Sequence, residues 1–447
     1  MPRKGDRAVP ADDRSSRERG LARLFPNAPP PGPFRRAFWS SPLRGPWLTA
    51  MLGTILLGGI VIVTTTGFLS HAAYNPSLGQ NAIVDAGRDL PLTFDWPTSP
   101  SWLYALSQGL HVNVGLAIIP LLLAKLWSVI PRLFAWPPVS TPAQAIERLS
   151  ITLLVSSAVL LLATGVLNIE YWYAFQFGFV VVHYWAAVIF VGALGVHLVV
   201  KLPVAARAYR THGVLKPLRK NLEQTRPESD DREGLVPVRP TEPTVTRRGV
   251  LAFAGGGSLL LLVANAGQWI GGPLRPVAFL APRRPVPDEG PNGFPINKTF
   301  EGAGVPREAI EEGVYRLRVR GASGERRLSR QDLLALPLRT ESLPIACVEG
   351  WTTTQSWQGV PLAELARMAG AQDADEVFVE SLQPSGILRE ATLSRDQFSD
   401  ERSLLALRVN GEDLSLDHGF PARVIVPALP GVHNTKWVAS MTFRSRV

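Results

Sequence analysis

The chain has 447 residues, 46% hydrophobic and only 19% charged, with a formal net charge of +9 and one cysteine. So low a charged fraction argues against an ordinary water-soluble protein, and a single cysteine excludes an intrachain disulfide. The Lys and Arg excess accompanies long apolar runs and no nucleic-acid motif, so it reads as basic membrane-flanking loops and excludes a nucleic-acid partner.

Residues 1–46 are polar and rich in Arg and Pro, with Pro29, Pro30, Pro31 and Pro33 together. Such a stretch cannot bury a core and is expected to be a disordered cytoplasmic arm. It holds no early apolar segment of the cleaved-signal type. Five apolar runs follow, at Trp47–Ser70, Trp102–Ala124, Leu149–Ile169, Phe177–Val200 and Val250–Ile270. Each reaches the length of about 20 residues that a bilayer-crossing helix needs. The arm, the second connection (Lys125, Arg132, Arg148) and the connection from Lys201 to Arg248 are basic. The first connection carries Asp85, Arg88 and Asp95, and the third carries Glu170. The positive-inside rule then puts the N-terminus in the cytoplasm, and five crossings put the C-terminal part outside.

The organisation expected is a membrane domain of four helices over 47–200, a cytoplasmic linker over 201–248, a fifth membrane helix over 249–271, a Pro-rich tether over 272–293 and a C-terminal domain over 294–447. The run Thr246-Arg247-Arg248-Gly249-Val250-Leu251 opens the fifth helix. It resembles a twin-arginine export signal, here internal and uncleaved. A basic stop-transfer flank is the plainer reading of the same dipeptide.

Four of the seven histidines lie in or beside membrane segments: His71, His111, His183 and His197. Histidine at membrane depth is costly and usually functional. His183 and His197 are 14 residues apart (197 − 183) on one helix. That spacing is nearly four turns, so they share a face about 21 Å apart. It suits one histidine for each of two stacked haems; a polar packing pair is the alternative.

The segment Gly109-Leu110-His111-Val112-Asn113-Val114-Gly115, with His183 and His197, resembles the four-helix cytochrome b subunits of formate dehydrogenases and nickel-iron hydrogenases. The resemblance implies a b haem held by His111 and His183 in the outer half of the bundle. His197 then lacks a histidine partner, and a second haem stays open. Met51 is either its sixth ligand or a packing residue. His71 is either an outer ligand in place of His111 or a residue near the domain interface.

Beyond the tether, strand-like runs occur at Val314–Val319, Glu376–Ser381, Leu404–Val409, Arg423–Val426 and Val438–Phe443, with helical patterns at Ser329–Ala335 and Leu362–Ala369. The mixture is α+β. The lone cysteine lies in Pro344-Ile345-Ala346-Cys347-Val348-Glu349-Gly350-Trp351. By itself it is either a small buried hydrophobe or a thiolate for a soft metal.

Three pieces in order carry a resemblance to the sulfite-oxidase-type molybdopterin family. They are Cys347 to Trp351 with Trp357-Gln358-Gly359, Asp417-His418-Gly419-Phe420-Pro421-Ala422-Arg423, and Gly431 to Lys436-Trp437. The resemblance implies that family's α+β fold and a molybdopterin cofactor with Cys347 as the molybdenum ligand and catalytic residue. It further implies cofactor contacts from His418, Arg423 and Lys436, from groups around His433 and Asn434, and from Asn297 and Lys298 on an N-terminal loop. An arginine such as Arg423 grips phosphate with paired hydrogen bonds. Since the cofactor is loaded in the cytoplasm, the domain must cross the membrane folded, as twin-arginine export allows.

Sulfite-oxidising members carry arginines soon after the cysteine, whereas Gly350 to Trp357 here contains none. The stretch looks more like the periplasmic methionine-sulfoxide reductase branch. The resulting expectation is a molybdenum-dependent oxidoreductase embedded in lipid on the outer face of a bacterial cytoplasmic membrane. Its b haem joins the quinone/quinol pool to reduction of an S-oxide or N-oxide. The alternatives are oxidation of sulfite or another small sulfur compound, with electrons passing into the membrane, or a degenerate non-catalytic electron-transfer protein.

Overall fold

A computed structural model of the chain describes residues 25–26, 28–75, 78, 82–85, 87–92, 94–229, 234–270, 272–281, 291–348 and 350–445. The first 24 residues of the expected arm and positions 282–290 of the expected tether lie outside the described residues. Five long helices come first: α1 (Pro46–Tyr74), α2 (Leu103–Leu133), α3 (Pro142–Ile169), α4 (Phe179–His212) and α5 (Arg247–Ile270). All five are long and apolar enough to cross a membrane, which makes this a multi-pass membrane protein.

Hydropathy misplaces three helix ends, one of them the start of α3, which lies at Pro142 and not Leu149. Helix α2 continues past Ala124 to Leu133, and α4 past Val200 to His212. The extensions begin at Lys125 and Lys201, where hydropathy falls although backbone hydrogen bonding need not. Both lysines are held. Lys125 Nζ donates to Thr49 O (2.6 Å), and Lys201 Nζ lies 3.2 Å from Glu147, which also pairs with Arg132 (3.2 Å).

The molecule divides into two compact units. One comprises the described parts of 1–59, with 118–163 and 183–258. Its core packs Trp47, Leu48, Met51 and Leu52 of α1 against Trp127, Tyr209 and Val250. The stretch expected as a linker is anchored there. Glu228 accepts from Trp47 N–H (2.8 Å), satisfying one of the open donors at the start of α1. Its carboxylate also lies 3.6 Å from Arg247 Nε.

The second unit comprises 60–117, 164–182 and 259–447. It holds two sheets. In the first, β1 (Leu317–Gly321), β2 (Gly324–Leu328), β5 (Glu376–Ser381), β6 (Glu390–Ser394) and β10 (Val438–Arg444) run in the order β2-β1-β10-β5-β6. Only β1 and β10 are parallel in it. In the second, β3 (Arg339–Cys347), β4 (Trp351–Pro361), β7 (Leu404–Val409) and β8 (Glu412–Asp413) follow in order, and β9 (Arg423–Ile425) pairs with β7. Short helices α6 (Arg330–Leu334), α7 (Leu362–Met368) and α8 (Arg395–Ser399) complete this α+β domain. Ser329 caps α6 in a reciprocal box with Asp332.

The hairpin β3–β4 is absent from the strand-like runs of the sequence. Pro344 interrupts the first strand and Thr352 to Ser356 fill the second with polar residues, so neither shows clean hydrophobic alternation. The domain core holds Leu317, Val360, Leu365, Val377, Leu405, Val424 and Met441 together with Ala73, Trp96 and Tyr104. Trp96 Nε1 donates to Ala428 O (2.8 Å), Gln397 Nε2 donates to Trp96 O (2.9 Å), and Arg402 Nη2 donates to Ser99 Oγ (2.8 Å). The connection between α1 and α2 is therefore part of this domain's interior. The stretch after α5, expected to run out as a tether, starts as a 3-10 run over Gly272–Val277 and turns back, with Leu280 N–H donating to Ala264 O (2.9 Å).

Candidate molybdopterin site

Strand β3 ends at Cys347 and β4 begins at Trp351. The turn between them is closed by Gly350 N–H donating to Cys347 O (3.2 Å). Gly350 sits at φ +96°, a conformation that suits glycine. Cys347 is buried with Ile345, Trp351, Trp357, Phe294 and Ile425. A bridge between Ala346 and Pro430 brings the turn Gly431–His433 alongside. A Cβ at Gly431 would lie 3.2 Å from Ala346 O, a tight contact that glycine avoids where the two backbones approach.

His418 ends a 3-10 turn over Leu416–His418. Its ring stacks on Phe294 (3.7 Å, 17°), and Nε2 donates to Phe294 O (3.2 Å). Arg423 opens β9 and is buried. Nε donates to Asn434 O (3.2 Å) and Nη1 to His418 O (3.3 Å), with the guanidinium 5.6 Å from the Trp357 ring centre. No carboxylate pairs with it among the described residues. Burial pushes its pKa down to about 9, and the neighbouring Cys347 favours its charge.

Lys436 Nζ donates to Lys298 O (2.7 Å) and Asp417 O (2.8 Å), which fastens the segment carrying Asn297 and Lys298 to the His418 turn. Asn297 Oδ1 accepts from Lys298 N–H (2.9 Å). Partial burial lowers the Lys298 pKa. His433 is fully buried, and burial pushes it down to about 4. The carbonyls of Tyr74 and Ala73 approach its ring and favour the proton, though neither reaches hydrogen-bond geometry.

These residues fit a molybdopterin. Beside the lone thiol, Trp351 Nε1, both His433 ring nitrogens, Asn434 Nδ2 and Thr435 Oγ1 are buried with no hydrogen-bond partner among the described residues. Unpaired buried donors and a guanidinium without a counter-ion complement an anionic ligand rich in acceptors. The structure gathers Cys347, His418, Arg423, His433 and Lys436, with Asn297 and Lys298 fastened to them through Lys436. The sequence did not single out the side chains of Trp351 and Thr435, nor Gln108 of α2, whose Nε2 donates to Val348 O (3.2 Å) next to the cysteine. A buried indole N–H flanking a motif cysteine was the available signal for Trp351. Gln108 had none, lying 240 residues from Val348.

The membrane histidines separate by their partners. His111 Nδ1 lies 2.9 Å from Val63 O, and a carbonyl can only accept, so Nδ1 carries the proton and Nε2 is the basic nitrogen. That tautomer suits a metal ligand oriented by a backbone carbonyl. Gly67 makes room for the ring: a Cβ there would lie 2.8 Å from His111 Cε1. His71 goes elsewhere. Its Nε2 lies 2.9 Å from both oxygens of Asp89, which Asn75 Nδ2 also holds (2.9 Å). His71, expected either as an outer iron ligand or as a residue near the domain interface, uses this pair to pin the loop after α1. His183 and His197 are half-buried on α4, and Met51 is buried within the α1 packing cluster.

The family model described as oxidoreductase molybdopterin binding domain matches residues 303–447. "Uncharacterized oxidoreductase YuiH" of Bacillus subtilis is 33% identical over 117 residues, 26% of this chain and 58% of that protein. Mitochondrial sulfite oxidase of Mus musculus is 31% identical over 169 residues, 32% of this chain and 31% of the enzyme. "Putative protein-methionine-sulfoxide reductase subunit YedZ1" of Azospira oryzae is 28% identical over 149 residues, 33% of this chain and 55% of that protein. The chain thus spans about three-fifths of the first of these relatives and under a third of the second. Residues 303–447 thus match an oxidoreductase molybdopterin binding domain, and the chain also holds five helices fit to cross a membrane.

Proposed function

We propose that this protein is a membrane-bound molybdenum oxidoreductase that reduces a neutral S-oxide or N-oxide with electrons drawn from quinol through a b haem. The observation that carries the reading is Arg423, a buried guanidinium with no carboxylate partner among the described residues, set against the lone buried thiol and a row of donors unpaired among them. Bound molybdopterin supplies two-electron oxo transfer. Cys347 holds the metal as a thiolate, and the charge of Arg423 favours that ionised form. Arg423 and Lys298 balance the cofactor's phosphate, while Trp351, His433, Asn434 and Thr435 donate to its polar edge. His418, stacked on Phe294, and Lys436, tied to two carbonyls, keep the cradle from collapsing inward. Gln108 steadies the backbone beside Cys347.

The substrate reading rests on β4, where residues 350–358 include no Lys or Arg to bind an anion such as sulfite. The Azospira relative's name, a sulfoxide reductase subunit, points the same way. Likeness to sulfite oxidase favours a second reading, oxidation of a small sulfur compound. In the membrane part, His111 and His183 would hold the iron of one b haem, and His197 would belong to a second site if there is one. The N-terminus lies in the cytoplasm and the molybdopterin domain outside, carried there by the Arg247-Arg248 signal. Loss of catalytic competence is disfavoured by the retained Cys347, His418 and Arg423.

Redox spectroscopy of the purified protein tests this. A quinol analogue should reduce the haem, and an S-oxide or N-oxide should reoxidise it. Cys347→Ala should keep the haem spectrum and its reduction by quinol, retain pterin, and lose reoxidation by substrate. Reoxidation at the parental rate in Cys347→Ala would make the cysteine structural and end the proposal.

A further inference from the structure

Helix α5 buries Asn265 and Gln268 and half-buries Trp269, at positions i, i+3 and i+4, so the three share one face. Asn265 and Gln268 are 0% and 1% exposed. Asn265 Nδ2 donates to Asn113 Oδ1 of α2 (2.8 Å), and Asn113 Nδ2 donates to Gly109 O (2.7 Å). The Trp269 ring packs where Gly109 has no side chain: a Cβ there would lie 3.0 Å from Trp269 Cε3. The pairing stops there. Asn265 Oδ1, Gln268 Oε1 and Nε2, and Trp269 Nε1 have no hydrogen-bond partner among the described residues.

Each unpaired buried polar group costs about 1–3 kcal/mol, and at membrane depth bulk water cannot relieve it. Four such atoms on one face of a membrane-spanning helix are a standing destabilisation that apolar residues would avoid. Polar side chains kept in that setting usually mark a ligand path.

The atoms define the ligand. Two are donors, Gln268 Nε2 and Trp269 Nε1; two are acceptors, Gln268 Oε1 and Asn265 Oδ1. No charged side chain is among these four atoms. A balanced neutral set suits a molecule that shows carbonyl oxygens in one redox form and hydroxyls in the other. The donors bind the first form and the acceptors the second. We propose that Asn265, Gln268 and Trp269 form a headgroup site for a quinone/quinol. The assignment rests on the quinol-linked reading above and adds a place for it, on the face of α2 that carries Gly109 and Asn113. Gln268 is the leading contact, because both atoms of its amide are unpaired.

The test uses the full chain with its cofactors in detergent and an azido-ubiquinone bearing a decyl tail as photolabel. Label should map to residues 259–281. Gln268→Leu should lower labelling at sub-saturating probe roughly tenfold, yet leave the thermal midpoint equal to or above the parent's, because an unpaired amide has been removed. Trp269→Phe, which keeps the ring against Gly109 and deletes only the donor, should lower labelling in the same direction. Label mapping elsewhere while quinol still reduces the haem would overturn the site and leave the quinol reading standing. Unchanged labelling in Gln268→Leu with a lower thermal midpoint would show that the amide serves only a structural water, and would also overturn it. If the parent takes no label and quinol reduces nothing, the quinol reading falls and the site falls with it.

Discussion

Arg423 is buried with two backbone carbonyls as hydrogen-bond acceptors and no acidic partner among the described residues. A charge held that way burdens the empty fold and favours an anion that fills it. Arg423→Met should therefore leave cofactor-free protein as stable as the parent or more so, while weakening cofactor retention by about 2–5 kcal/mol. Thermal unfolding of the empty protein and pterin content after dialysis measure the two halves. His433 works through protons. Burial depresses its folded pKa from 6.5 to about 4. Between those values the unfolded chain binds the proton and the folded one does not, so stability is present above pH 6.5 and is lost as pH falls toward 4. The loss is on the order of 3 kcal/mol. Melting of cofactor-free parent and His433→Gln across that window should show the acid-side slope flattened in the variant.

At the scale of elements, Arg247 has two demands on it. It is half of the export-like dipeptide, and it is also buried at the start of α5. There Nη2 donates to Arg226 O (2.9 Å) and Pro42 O (3.3 Å), and Nε faces Glu228 (3.6 Å). Replacing it would confuse export with folding. Arg248 is exposed, so Arg248→Lys separates the two. It should block delivery of a reporter fused after Val447 to the outer side, with little change in thermal stability. Glu228→Gln should do the reverse: normal delivery with a lower melting midpoint, by roughly the 3–5 kcal/mol that breaking a buried pair costs. Undiminished delivery in Arg248→Lys would reduce the dipeptide to a stop-transfer flank.

At the scale of the whole molecule, the C-terminal domain borrows part of its core from the stretch around the first two helices. Trp96 is 4% exposed and spans to Ala428 and Gln397, while Ala73 and Tyr104 join the same cluster. Trp96→Ala should cost about 3–5 kcal/mol, read as earlier melting of the molybdopterin domain and faster proteolysis between β3 and β10. The fragment 294–447 made alone should show the same weakness, because it exposes the surface that these three residues cover. Equal stability of fragment and full chain would mean that the packing contributes little.

What the sequence determined alone was whatever is written locally. Membrane helices were readable because hydropathy sums along a short window, and α1 and α5 agree closely with it. Short apolar runs rich in Val, Leu and Phe located β5, β7, β9 and β10, since strands buried on both faces read as near-continuous apolar stretches. The motif around Cys347 pointed to the molybdopterin site because its ligands come in short contiguous pieces. Tertiary structure alone decided the rest. It turned His71 toward Asp89, drew Trp96 into a core 332 residues away, and set Gln108 on the carbonyl beside the cysteine. It also paired the polar strand β4 with β3 and left Gln268 without a hydrogen-bond partner among the described residues. Each of these depends on which distant group arrives opposite a side chain, and no local propensity records that.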